Sequence, residues 1–165
     1  MRTRQTAELR SMPTLEDQHA AVGRFAYLVA GDVDLARDLT QEAFLRAARR
    51  GLDLEAPDSL PYLRTIVVNL WRRRFRRLAA EARALVRVGS AQPPPAGEDV
   101  VDDRDLVWRG LRRLPPRIRL CLVLRYYEDF PVADIARELG RPEGTVRSWL
   151  SRGLARLAQE VGERG

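Results

Sequence analysis

The sequence predicts an all-α protein of two small helical domains joined by a flexible linker. Three observations carry this. Apolar residues recur at helical spacing in stretch after stretch, as Val132, Ile135, Ala136 and Leu139 do at i, i+3, i+4 and i+7. Between them, from about Ala79 to Asp103, the periodicity fades into GSAQPPPAGEDVVDD, whose prolines, glycines and acids have the composition of a tether. Past that tether, Pro131 to Leu157 reads as a short helix, a glycine turn and a second helix.

Taken in order, residues 1–13 are polar and read as a disordered N-terminus. The first domain spans 14–80. Its first helix, Thr14 to Ala30, has Ala21, Phe25, Leu28 and Val29 on its apolar side, and Gly31-Asp32 breaks it. A second helix, Val33 to Arg50, carries Leu35, Leu39, Phe44, Leu45 and Ala48 as apolar residues, with Asp38, Gln41 and Glu42 on its polar side. Residues 51–58 form a loop. Ser59 is placed to cap a third helix, with Pro61 in its first turn. That helix is expected to run to Leu78, with Leu63, Ile66, Val67 and Leu70 as its buried stripe and a linker following at 81–104.

The second domain spans 105–160. One helix covers Asp105 to Leu114 and stops at Pro115-Pro116, and another covers Ile118 to Tyr127, apolar on more than one side. In the helix-turn-helix, Gly140 supplies the residue able to take φ > 0, and Pro142 suits the first turn of the next helix. Val146, Leu150 and Leu157 then point one way, while Arg147, Ser148, Ser151 and Arg152 share another face. Gly144 and Thr145 are small enough for close approach to a neighbouring backbone. A second helix with a polar-basic outer face is the kind that enters a DNA major groove.

Composition narrows the function. The 165 residues carry a net charge of +6, and all 29 basic residues are arginine, the side chain suited to phosphate contact and bidentate reading of guanine. One cysteine and one histidine exclude a disulfide framework and a Cys/His zinc site. Cys121, in the apolar run LCLVL, reads as a buried structural thiol, and His19 as a surface residue. No apolar run approaches the ~18 residues of a membrane span and no signal-peptide pattern is found, so a soluble, cytoplasmic protein without membrane contact is expected.

The third helix holds a second basic feature, Arg72, Arg73, Arg74, Arg76 and Arg77, interleaved with Trp71 and Phe75. Charge suits phosphates and rings suit stacking on unpaired bases, although a basic helix end or a packed tryptophan accounts for the same residues. Asp38 and Glu42, at i and i+4, have the spacing to hold a metal, but no third ligand or histidine supports a catalytic site. The expectation is no enzyme, no metal and no cofactor. A duplex reader and a single-strand reader on one chain suggest a protein that grips two DNA elements.

The order of these motifs resembles the extracytoplasmic function (ECF) sigma factors of the sigma-70 superfamily, which direct bacterial RNA polymerase to promoters. GDVDLARDLTQEAFLRAAR resembles the family's helix for the polymerase β′ clamp helices, and SLPYLRTIVVNLWRRRFRR its helix for the −10 element. LRRLPPRIRLCLVLRYYEDFPVADIARELGRPEGTVRSWLSRGLARL resembles its four-helix, winged-helix-like domain for the −35 element and the β flap. Together these stretches cover about half of the chain, and the lysine-free composition fits an actinobacterial member. The resemblance implies polymerase binding at Asp38, Leu39, Gln41 and Glu42. It implies −10 contacts around Asn69, Trp71, Arg72, Arg73 and Arg76, with the 51–58 loop accepting a flipped base. It implies −35 contacts at Thr145, Arg147, Ser148, Ser151 and Arg152. The partners implied are core RNA polymerase, promoter DNA and an anti-sigma factor. Tyr62, Trp71, Arg73 and Pro131 depart from the family's usual residues, and those at Trp71 and Arg73 leave the preferred −10 sequence open. The alternative is a stand-alone helix-turn-helix regulator, which leaves the arginine helix and the Gln41-Glu42 surface without a purpose.

Overall fold

A computed structural model of the chain describes residues 14–56, 58–87 and 106–162. The expected disordered N-terminus and the linker from 88 to 104 lie outside the described residues. Among the described residues every regular element is helical, and they fall into two compact units.

Helix α1 runs Leu15–Ala30, α2 Val33–Arg49 and α3 Ser59–Arg87, and the first unit takes α1 as far as Tyr27 together with α2 and α3, Leu28–Gly31 grouping with the second. Thr14 and Asp17 start α1 reciprocally: the Asp17 N–H donates to Thr14 Oγ1 at 3.1 Å and the Thr14 N–H to Asp17 Oδ2 at 3.0 Å. Hydrogen bonds from the Thr14 side chain and backbone hold the Asp17 carboxyl below its ordinary pKa. Gly31, at φ 73°, makes the break between helices, and Asp32 caps α2 by accepting from the Leu35 N–H at 2.7 Å. The core gathers Val22, Phe25 and Ala26 of α1 with Leu63, Val67 and Leu70 of α3.

Two expectations change here. The buried stripe of α2 is Ala36, Leu39, Thr40, Ala43 and Ala47, whereas Leu45 is 50 % exposed. Small residues let α2 lie close to its neighbours, so this alanine stripe is the face that packs. The third helix also does not end at Leu78 but continues to Arg87, so the linker starts later than 81. Residues 79–87 are alanine, glutamate, arginine, leucine and valine, mostly strong helix formers with no glycine or proline to stop them. Arg77 and Glu81 add an i, i+4 ion pair at 2.8 Å.

The second unit contains α4 (Leu106–Arg113), α5 (Pro116–Leu122), α6 (Val132–Leu139) and α7 (Glu143–Gly162). The helix expected at Ile118 to Tyr127 starts at Pro116, and its last five residues, Val123–Tyr127, form a π-helical turn. Helices α4, α5 and α6 all pack on α7. Helix α5 comes close to α7 at Gly153, where a Cβ would lie 2.7 Å from Ile118 Cγ2 and 2.8 Å from Leu122 Cδ1. Gly144, expected to be the close-approach glycine, has open space around it. Cys121 is fully buried in this core, and burial pushes its thiol up to about 12.

Candidate nucleic-acid interface

The turn between α6 and α7 is built as its sequence requires. Gly140 takes the left-handed conformation, φ 60° and ψ 45°, and the Arg141 N–H donates back to the Ala136 carbonyl at 2.9 Å. Ile135, Ala136, Val146 and Leu150 are buried beneath it. Pro131 starts α6 without a side-chain cap. With Val146 and Leu150 held inward, Arg147, Ser148, Ser151 and Arg152 stand exposed on α7, and Thr145 is half-buried at their edge. Arg147 lies 2.6 Å from Glu143 Oε2 one turn back, and Arg152 Nε donates to the Ser148 carbonyl at 3.3 Å. Both arginines are therefore pre-aimed along the helix yet open to solvent.

On α3 the predicted −10 residues divide. Asn69, Arg73 and Arg76 are exposed, and Arg72 is half-buried. Trp71 corrects the sequence reading: it is 4 % exposed and stacks on Phe75, ring centroids 5.1 Å apart and planes 8° from parallel. A ring buried this way holds the helix in place and offers no free face to a base. Asn69, Arg72 and Arg76, at i, i+3 and i+7, form one line. Arg73 sits at the border of that line and of a groove between α2 and α3.

That groove, about 700 Å³, is lined by Asp38, Gln41, Glu42 and Leu45 of α2 and by Arg73, Arg74, Arg77 and Leu78 of α3. Asp38 and Gln41 are exposed, and Leu39 packs beneath them, 4 % exposed. Glu42 accepts from Arg46 Nε at 2.6 Å. Leu45 and Leu78, each about half exposed, give the groove an apolar floor that sequence reasoning missed. The alanines at 36, 43 and 47, which mark the true packing face of α2, were the available signal.

A further surface was not read from the sequence. In the second unit Val107, Tyr126, Tyr127 and Leu154 are exposed large apolar residues lining one depression with Leu111 and Leu157. The π-helical turn carries both tyrosines, and its extra residue per turn swings them out while Val123 and Leu124 stay buried.

Between α2 and α3, residues 51–56 of the expected 51–58 loop are anchored from below, Pro57 lying outside the described residues. Gly51, at φ 69°, turns the chain, and the Glu55 N–H donates to Asp53 Oδ1 at 3.0 Å. Ser59, expected to cap α3, turns its hydroxyl inward instead, donating to the buried Gln18 side chain and lying 3.1 Å from the Leu54 carbonyl. Arg50 donates to the Tyr62 hydroxyl beside it. Among the described residues no group of three His, Cys, Asp or Glu side chains could hold a metal ion, and no helix is long and apolar enough to cross a membrane.

Comparison with known proteins covers both units. Residues 15–81 match the family description Sigma-70 region 2, and residues 104–157 match Sigma-70, region 4. The chain is 36 % identical over 168 residues to the RNA polymerase sigma-E factor of Streptomyces antibioticus, covering 98 % of this chain and 82 % of that protein. It is 34 % identical over 164 residues to the ECF RNA polymerase sigma factor SigE of Mycolicibacterium smegmatis, covering 92 % of this chain and 63 % of that one. It spans 38 % of the length of the probable RNA polymerase sigma factor RfaY of Xanthomonas campestris, at 35 % identity. Among solved structures, the sigma factor RpoE of Bartonella quintana, in complex with the anti-sigma factor NepR, shares the fold. Its TM-score is 0.62 at 24 % identity, over 90 % of this chain and 94 % of that one.

Proposed function

The chain belongs to the sigma-70 family, in its ECF group of RNA polymerase sigma factors, and from that premise we propose how its surfaces divide the work of promoter recognition. The α2 edge of Asp38, Gln41 and Glu42, with Leu45 exposed beside it, docks on the β′ clamp helices of core polymerase. Its apolar floor supplies buried area and its charges supply orientation. The apolar depression around Tyr126 and Leu154 takes the β flap. The exposed face of α7 enters the major groove of the −35 element, where Arg147 projects from the first turns toward base edges and Arg152 toward phosphate.

Downstream, Asn69, Arg72 and Arg76 hold the −10 strand through its phosphates, and the 51–58 loop receives one unstacked base. Opening the duplex requires no bond-making chemistry from this chain. It requires surfaces that favour separated bases once polymerase has placed them. An anti-sigma factor, the partner in the related solved complex, would act by covering these same surfaces.

The observation that carries this reading is the α7 face. Four polar side chains stand clear of a helix whose other side is locked by Val146 and Leu150, in the same chain as a groove suited to a protein partner. The test is transcription by core polymerase from a promoter library with start sites mapped. New start sites that require this protein and share −10 and −35 sequences are expected. Binding of upstream duplex without any new start site would favour the stand-alone regulator.

A further inference from the structure

We propose that Gln18 is a positioning residue for the base-accepting loop, setting base preference in the −10 element without touching DNA. The inference rests on the reading that the 51–58 loop receives a flipped base. Gln18 lies on α1, far in sequence from every motif that suggested promoter contact, and its polar side chain is only 1 % exposed. Burying an amide is unfavourable unless its oxygen and nitrogen both find partners. Both partners here belong to the loop or its end. The Oε1 atom accepts from the Ser59 hydroxyl, and Nε2 donates to the Ala56 carbonyl at 3.5 Å.

Ser59 extends the link, since its Oγ lies 3.1 Å from the Leu54 carbonyl and its N–H donates to the Ala56 carbonyl at 3.0 Å. One buried side chain thus bonds the Ala56 carbonyl directly and holds the hydroxyl of Ser59, whose own N–H bonds the same carbonyl. The other side of the loop carries exposed Gly51, Asp53, Glu55 and Asp58. A pocket for a base must hold its walls to well under an ångström, and surface turns do not do this unaided. A simple core role would be met by leucine or methionine at this place, and glutamine adds only the two directed bonds.

The experiment uses the full chain with core polymerase and measures binding of short single-stranded −10 oligonucleotides, each changed at one base. Gln18→Met keeps the volume and removes both bonds, and Ser59→Ala removes the link from its other end. Each is expected to flatten discrimination at the same single −10 position by about tenfold. Affinity for core polymerase and for −35 duplex should be unchanged, and the double variant should be no worse than either alone. If all oligonucleotides weaken equally, or only thermal stability falls, Gln18 is merely structural and the proposal is overturned. Asp53→Ala and Glu55→Ala, on the exposed side of the loop, separate the two levels. If they change the base profile while Gln18→Met and Ser59→Ala do not, the positioning role alone fails. If none of the four changes it, the loop does not receive the base and both readings fail. Should Gln18→Met not fold, Ser59→Ala decides the matter.

Discussion

At the scale of single residues, burial decides what a side chain is free to do. Arg147 is exposed, and its pair with Glu143 is a solvated i, i+4 contact worth under about 1 kcal/mol, so the guanidinium is readily surrendered to a base. Arg147→Ala is expected to cost about 1–3 kcal/mol in −35 binding and to relax preference at one base pair. Arg152→Ala should instead lower affinity evenly across sequences and flatten the salt dependence by about one unit. Titrating both variants against single-substitution −35 duplexes at two salt concentrations distinguishes them. Trp71 is the opposite case. Packed against Phe75 and nearly sealed from solvent, it should cost about 3–5 kcal/mol of stability when changed to alanine, read by denaturant unfolding. Cys121 adds a pH dependence whose sign follows from its raised pKa. The folded chain holds the thiol proton more tightly than the unfolded chain, so the stabilisation is complete below the ordinary value of 9.0. It is lost as pH climbs toward about 12. Unfolding free energies from pH 8 to 11 should fall more steeply for the native chain than for Cys121→Ala.

At the scale of the element, helix α7 shows what sequence can and cannot disclose. Its inward residues Val146 and Leu150, its exposed arginine-serine face and the left-handed Gly140 before it follow from periodicity and turn chemistry, and the fold places them accordingly. Its close contact with α5 was not legible, because which glycine a neighbour approaches depends on the crossing point of two helices. Gly144 lies open, and Gly153 meets α5. Gly153→Ala should therefore destabilise despite gaining roughly 1 kcal/mol of helix propensity, since the added methyl would sit 2.7 Å from Ile118 and 2.8 Å from Leu122. Gly144→Ala should show the propensity gain alone, and thermal melts of the pair check the contrast. On α2 the same limitation misassigned Leu45, because leucine reads as core wherever it falls. The alanines that make the real interface are too small to stand out in a hydrophobic pattern. Ser59 was misjudged for a related reason: its place before a helix predicts a cap, while a buried glutamine forty-one positions earlier in the chain claims its hydroxyl.

At the scale of the whole molecule, each unit has its own buried core, so a surface change in one should leave the task of the other intact. Glu42→Arg tests this most directly. Glu42 is partly exposed and bonded only along its own helix to Arg46 at 2.6 Å, among the ion pairs described. Losing that pair should lower the melting temperature by roughly 2–4 °C at most, because solvated i, i+4 pairs contribute only a few tenths of a kcal/mol. The inverted charge, however, faces the groove that already gathers Arg73, Arg74 and Arg77, and it leaves Asp38 and Glu81 as the acids lining it. Affinity for core polymerase should fall by about tenfold, or 1.4 kcal/mol, chiefly through lost charge complementarity. Binding of isolated −35 duplex, which depends on α7 in the other unit, should keep both its affinity and its sequence profile. Gln41→Ala, which removes a neutral side chain from the same exposed edge, should weaken polymerase less than Glu42→Arg does. Unchanged affinity for core polymerase in both variants would exclude α2 as the main contact. A parallel loss of −35 binding would show instead that the two units do not act independently.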